Sequence, residues 1–162
     1  MSQREDRGGA GCVVGLLADP EAPTKLANRL AKTLPGRLAD GDRDLSAATV
    51  DVVSEPFTTG TEDASTLRDR IGEHARGRGW AVAIGLTELP LHADRRHLVA
   101  DVDTRTRTAL VSVPALGGIR LHSAALRAVS DLVAELAADG ASPAPQGAVS
   151  SDVTDALTGR LA

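Results

Sequence analysis

The stretch His92-Ala93-Asp94-Arg95-Arg96-His97 is the densest set of metal-ligating side chains in this sequence. Imidazoles and a carboxylate at that spacing suit zinc or a similar cation. Arg95 and Arg96 stand among them, and fixed positive charge opposes a dication, so the stretch reads as a solvated loop entering a strand. Asp101 and Asp103 share one face of a strand. Such a pair can hold magnesium beside a nucleotide, but here Arg105 and Arg107 offer ready charge partners, which favours a solvated strand end entering a turn. A third set is Asp19, Glu55, Thr87 and Glu88, at or just after the ends of segments that read as strands. Ligands of open α/β sheets bind there, so these four are the expected residues of a small-ligand site.

Other chemistry is harder to place. The loop Leu17 to Lys25 follows the first strand, where phosphate-binding loops sit, but such loops need glycines that let N–H groups approach the anion. This one has Pro20 and Pro23, which lack N–H groups, and the carboxylates of Asp19 and Glu21. It reads as a proline-initiated helix start. No serine and histidine approach the strand–turn–helix arrangement of a nucleophile elbow, so no catalytic residue is assigned. Cys12 is the single cysteine, which excludes an internal disulfide; within an apolar run it reads as a small hydrophobe. No cofactor is called for.

The chain around these residues has 162 residues and a net charge of −4, which suits one domain without attraction to phosphate backbones or anionic lipid. Its aromatic residues are Phe57 and Trp80, too few for the stacking platforms of common nucleic-acid readers. The N-terminus is polar, and nowhere do enough apolar residues run together to span a membrane. The expected place of work is the cytoplasm.

Periodicity supplies the elements. Residues 1–10 read as a disordered tail, and 12–17 as a strand buried on both faces. A helix follows over 24–34, ended by Pro35-Gly36, then a polar loop over 39–46 and a second strand over 49–54. Ser65 is the expected N-cap of a helix to about Arg76, with Gly77 to Gly79 as its stop. A third strand spans 80–87; strand–helix alternation to this point predicts a parallel sheet. A loop over 88–96 precedes a hairpin of strands 97–102 and 109–113, and a helix covers 123–138. Residues 11–138 are thus read as one α/β domain, 139–150 as a linker and 151–162 as a short terminal helix.

Two resemblances attach to Gly79-Trp80-Ala81-Val82-Ala83-Ile84-Gly85-Leu86-Thr87-Glu88-Leu89-Pro90-Leu91 and its continuation through Val99 to Val102 and Ala109 to Leu116. The segment is similar to an uncharacterised actinobacterial family whose core has a Trp shortly before Leu-Thr-x-Leu-Pro-Leu, and whose members often continue into C-terminal membrane segments. No activity comes with that family. Residues 80–136 also resemble, in strand pattern, the archaemetzincin-type zinc proteases, in which a hairpin is followed by a helix bearing His-Glu-x-x-His. That motif needs two imidazoles one helical turn apart and a glutamate that activates the metal-bound water. Laid in that frame, Ser130 stands at the first histidine, Asp131 at the glutamate and Ala134 at the second histidine. The resemblance therefore implies the scaffold without its zinc motif.

The fold expected is a mixed, mostly parallel sheet of about five strands in a two- or three-layer α/β sandwich, zincin-like, with a flavodoxin-like or Rossmann-like arrangement as the rival. The expected function is non-catalytic: binding of a protein partner, or self-association, in a regulatory role. Small-ligand binding at the carboxyl edge of the sheet is the alternative, and a metal-dependent hydrolase built on His92, Asp94 and His97 comes third.

Overall fold

The computed structural model describes residues 12–60, 63–93, 96–138 and 147–150. Their strands are β1 (Val13–Ala18), β2 (Thr49–Ser54), β3 (Val82–Thr87), β4 (Leu91–Ala93), β5 (Arg96–Asp103), β6 (Thr108–Ser112) and β7 (Gly147–Ser150). The helices are α1 (Ala22–Gly41), α2 (Ala64–Arg78) and α3 (Leu121–Ala138). All strands join one sheet in the order β2-β1-β3-β6-β5-β4, with β7 beside β5. β2, β1, β3 and β6 are mutually parallel, whereas β5 runs antiparallel to β6, β4 and β7. This antiparallel edge separates the fold from the flavodoxin-like and Rossmann-like alternatives. The sheet is mixed and mostly parallel, as expected, with more strands than the five expected because β4 and β7 extend it.

Two clusters make the layers. Leu26, Leu30 and Leu34 of α1 and Val129, Leu132 and Val133 of α3 pack with Val14, Leu16 and Ile84 on one face. Leu67 and Ile71 of α2 pack with Leu17, Ala83 and Leu110 on the other. The result is a three-layer sandwich whose central strands are apolar on both faces because both are covered. Val50 and Val52 of β2 are only partly buried, since β2 lies at an edge of the sheet.

Local chemistry moved several boundaries. Pro35 lies inside α1 rather than at its end. A helical proline costs one N–H bond, but the stripe Leu26, Leu30, Leu34, Leu38 continues through it and buries Leu38. The stretch expected to be a polar loop over 39–46 includes a 3₁₀ turn at Arg43–Leu45 that buries Leu45. At the start of α2 the cap is Asp63, not Ser65: its Oδ1 accepts the Thr66 N–H at 2.8 Å and the Ser65 hydroxyl at 2.8 Å. The Thr66 N–H, with the Ser65 hydroxyl, holds this carboxyl below the usual carboxylate range. Gly79 ends the helix in the left-handed conformation, φ 70°.

β5 is longer than expected and changes phase within its length. Leu98 packs with Leu91 and Leu110 on the α2 side, whereas Ala100 and Val102 pack on the α1–α3 side. Strict alternation would put all three on one face. A register shift between Leu98 and Ala100 inserts the extra residue that reverses the phase, and it turns Asp101 and Asp103 toward α2. Part of the stretch read as a linker, 147–150, pairs with β5 as a strand, because β4 covers only the first residues of that edge. The expected tail at 1–10 and terminal helix at 151–162 lie outside the described residues. No described helix is long and apolar enough to cross a membrane.

Candidate functional site

At the carboxyl edge of the sheet, β1 ends and Asp19 follows, 8% exposed. Its Oδ1 accepts the N–H groups of Phe57 at 3.0 Å and Thr58 at 3.3 Å. Its Oδ2 accepts the hydroxyls of Thr58 at 2.5 Å and Thr87 at 2.9 Å. Thr87 Oγ1 in turn accepts the Leu89 N–H, and the Ser112 hydroxyl donates to the Leu89 carbonyl. A carboxylate has about four lone-pair sites, and here each has a donor. Asp19 and Thr87 are thus brought together, as a clamp joining the ends of β1 and β3 to the segment after β2. Glu55 is turned away to the α2 residue His74, 3.4 Å distant, and Glu88 is exposed.

The histidine stretch divides differently. Strand register sets His92 opposite His97 across the β4–β5 pair, while Asp94 lies outside the described residues. Among the described residues no three of His, Cys, Asp and Glu come together as a metal-holding group.

Asp101 and Asp103 correct the sequence reading. They are 8% and 9% exposed rather than solvated, and Arg68 of α2, which the sequence reading did not name, pairs with both. Arg68 Nε lies 3.3 Å from Asp101 Oδ2, and its Nη1 lies 3.5 Å from Asp103 Oδ2. Asp103 also accepts the Arg105 N–H at the turn into β6. Burial pushes the Asp101 carboxyl above the usual range, Arg68 opposes the rise and Asp103 adds to it. Arg68 was missed because the contact is non-local. The available signal was an arginine next to Leu67 on the apolar stripe of α2.

A prediction follows for this group. Arg68→Met should lower stability by about 3 kcal/mol at neutral pH, because it leaves two buried carboxylates facing each other. Without the guanidinium Asp101 loses the charge that opposes its rise, so its folded-state pKa stands further above the unfolded value. Stability is then lost as pH rises through that window and regained as it falls. Denaturation midpoints at pH 7 and pH 4 should therefore show the larger deficit at pH 7; a deficit that grows with acid would refute the assignment.

A groove of about 650 Å³ lies where the second half of α1 meets α3, lined among others by Thr33, Arg37, Asp42, Ser130, Asp131 and Ala134. Arg37 Nε donates to Ser130 Oγ at 3.3 Å, and Ser130 donates to the Arg127 carbonyl at 3.0 Å. Thr33 and His122 meet at 3.2 Å. Ser130 and its neighbours were singled out in the sequence; Arg37 was not, because α1 was expected to stop two residues before it.

No family model matches this chain, and no curated protein matches it. Three solved structures do. Archaemetzincin from Methanopyrus kandleri is 21% identical, over 79% of this chain and 70% of that one, with a TM-score of 0.54. A zinc-dependent peptidase from Methanocorpusculum labreanum is 13% identical, over 76% and 80%, with a TM-score of 0.55. Archaemetzincin from Archaeoglobus fulgidus, complexed with malonate, is 13% identical over 76% and 77%, also at 0.55. At such identities likeness speaks for the fold and not the activity. The mixed sheet with its antiparallel edge, covered by three helices, is a zincin-like α/β fold.

Proposed function

We propose that this chain is a non-catalytic module on a zincin-like scaffold and acts by binding a protein partner. The observation that carries the reading is Arg37 on Ser130. In the zinc-protease frame, Ser130 stands at the first metal ligand, Asp131 at the glutamate and Ala134 at the second ligand. Zinc in such a site needs imidazole nitrogens one turn apart, with an open position for water. Here the first position is a hydroxyl already engaged on both sides, by Arg127 and Arg37, and the second is a methyl group. A guanidinium that stays protonated, set against the first position, adds repulsion toward a dication. These residues do not fit a zinc ion, and no step of hydrolysis is derived through one.

A scaffold that keeps its sheet without the metal chemistry retains surfaces and edges, which is what a binding module uses. The single thiol, Cys12, suits a reducing compartment, and the same reading takes the cytoplasm as its place of work. Incubation of the purified protein, with and without added zinc, against a quenched-fluorescent peptide library tests the reading. The expected result is no cleavage above a protein-free control in either condition. Cleavage that needs zinc and stops on chelation would overturn it.

A further inference from the structure

The groove between α1 and α3 holds opposite charges that do not pair. Arg37 of α1 has Asp40 one turn away on its own helix and Asp131 across on α3, and all three line the groove. The guanidinium turns instead to a neutral hydroxyl, donating from Nε to Ser130 Oγ at 3.3 Å. Asp40 and Asp131 have no hydrogen-bond or ion-pair partner among the described residues. We propose that this groove is a binding site for a free basic amino acid, whose carboxylate sits on Arg37 and whose cationic groups sit on Asp131, Asp40 and Asp42. The site stands beside the partner-binding reading and does not depend on it.

Each part of that ligand has its counterpart. With Nε engaged, the Nη1 and Nη2 edge of Arg37 remains as a fork, which matches a carboxylate with two parallel bonds. Ser130 holds that fork in place. It is 6% exposed, and its hydroxyl hydrogen goes to the Arg127 carbonyl, which leaves its lone pairs for Arg37. A donor group fixed before binding loses less freedom when the ligand arrives. Asp131 follows Ser130 directly and suits the α-ammonium, which stands one carbon from the ligand's carboxylate. Leu38 and Leu45 give the groove an apolar bed for the aliphatic stem of a basic side chain. Asp40 and Asp42 stand at the carbonyl end of α1, where the helix dipole adds negative potential and no basic residue of the last turn offsets it. Asp42 gives only its Oδ1 to the Asp44 N–H. The carboxylates of Asp40, Asp42 and Asp131 outnumber the guanidinium, so a ligand of net positive charge is favoured over an acidic one. The groove's volume of about 650 Å³ lies within the usual range of small-ligand sites, about 300–1,000 Å³.

Calorimetric titration of the full chain tests this with L-arginine, with agmatine, which lacks the carboxylate, and with Nα-acetyl-L-arginine, which lacks the α-ammonium. L-Arginine should bind, and agmatine should bind roughly tenfold more weakly, the loss of one charge-assisted pair. Arg37→Gln should bring L-arginine down to the level of agmatine and leave agmatine no weaker. Asp131→Asn should weaken L-arginine by roughly tenfold and leave Nα-acetyl-L-arginine unchanged. Arg37 is exposed and Asp131 half-buried, so both variants should keep the parent's denaturation midpoint, which separates lost binding from lost folding. No binding of L-arginine at millimolar concentration would overturn the site. Equal affinity for L-arginine and agmatine would do the same, as would equal affinity for L-arginine and L-glutamate, or binding that survives Arg37→Gln unchanged. A failure here leaves the non-catalytic reading standing, since none of these titrations involves zinc or peptide cleavage.

Discussion

Gly15→Val is expected to be among the most damaging single changes in this protein, at about 3–5 kcal/mol. Gly15 lies at the centre of β1, and a Cβ built on it overlaps the indole of Trp80. That ring is 7% exposed and is pinned from its other end, where Nε1 donates to Asp51 at 2.8 Å and Arg78 adds a contact to the same carboxylate. The ring therefore cannot slide aside without leaving the core or giving up its hydrogen bond. A typical domain has only about 5–15 kcal/mol of stability, so the change removes a large part of it. Trp80 is the single tryptophan, and its emission reports the displacement directly. The expected result is a lower denaturation midpoint with red-shifted native emission. Gly72→Ala provides the contrast: its Cβ meets only the end of the Arg76 side chain, at 3.4 Å, and a helical alanine should gain about 0.5–1 kcal/mol. Equal midpoints for the two variants would contradict this packing.

Asp19→Ala is expected to cost about 3 kcal/mol, because its removal strands buried donors that no nearby group replaces. The N–H groups of Phe57 and Thr58 lose their acceptor, and the hydroxyls of Thr58 and Thr87 lose theirs. The ends of β1 and β3 should stay in the sheet, since their ladder is independent of the side chain, while the segment after β2 loosens. Limited proteolysis should then cut near residues 55–60 faster than in the parent protein. A double-mutant cycle with Thr87→Val separates clamp from simple burial: residues sharing one hydrogen-bond network couple by about 0.5–3 kcal/mol. Strict additivity of the two changes would dissolve the clamp.

The contrast between Asp19 and Arg68 shows what a sequence makes legible. Asp19 and Thr87 could be placed together because each follows or ends a strand that periodicity defines, and parallel neighbours end at one edge. β2 was read to its exact bounds, since Thr49 to Ser54 is rich in β-branched residues and stands between loops. What periodicity does not encode is which side chain satisfies another. Glu55 was expected to join Asp19, yet it faces His74 across to α2. Asp101 and Asp103 were read as solvated because their sequence neighbours are polar; the fold instead buries them against an arginine more than thirty positions away. Pro35 failed as a stop signal for a related reason, since burial of Leu38 outweighs the lost bond. β7 was read as linker because Pro143, Pro145 and Gly147 resemble punctuation, and its pairing depends on an edge left open by a distant hairpin.

The direct test of the account is zinc stoichiometry, measured by elemental analysis after dialysis of the purified full chain against equimolar zinc. The account predicts well below one equivalent per chain, and no change when Ser130 is replaced by alanine. One tightly held equivalent, lost with Ser130→Ala or Asp131→Ala, would contradict it and return α3 to metal chemistry.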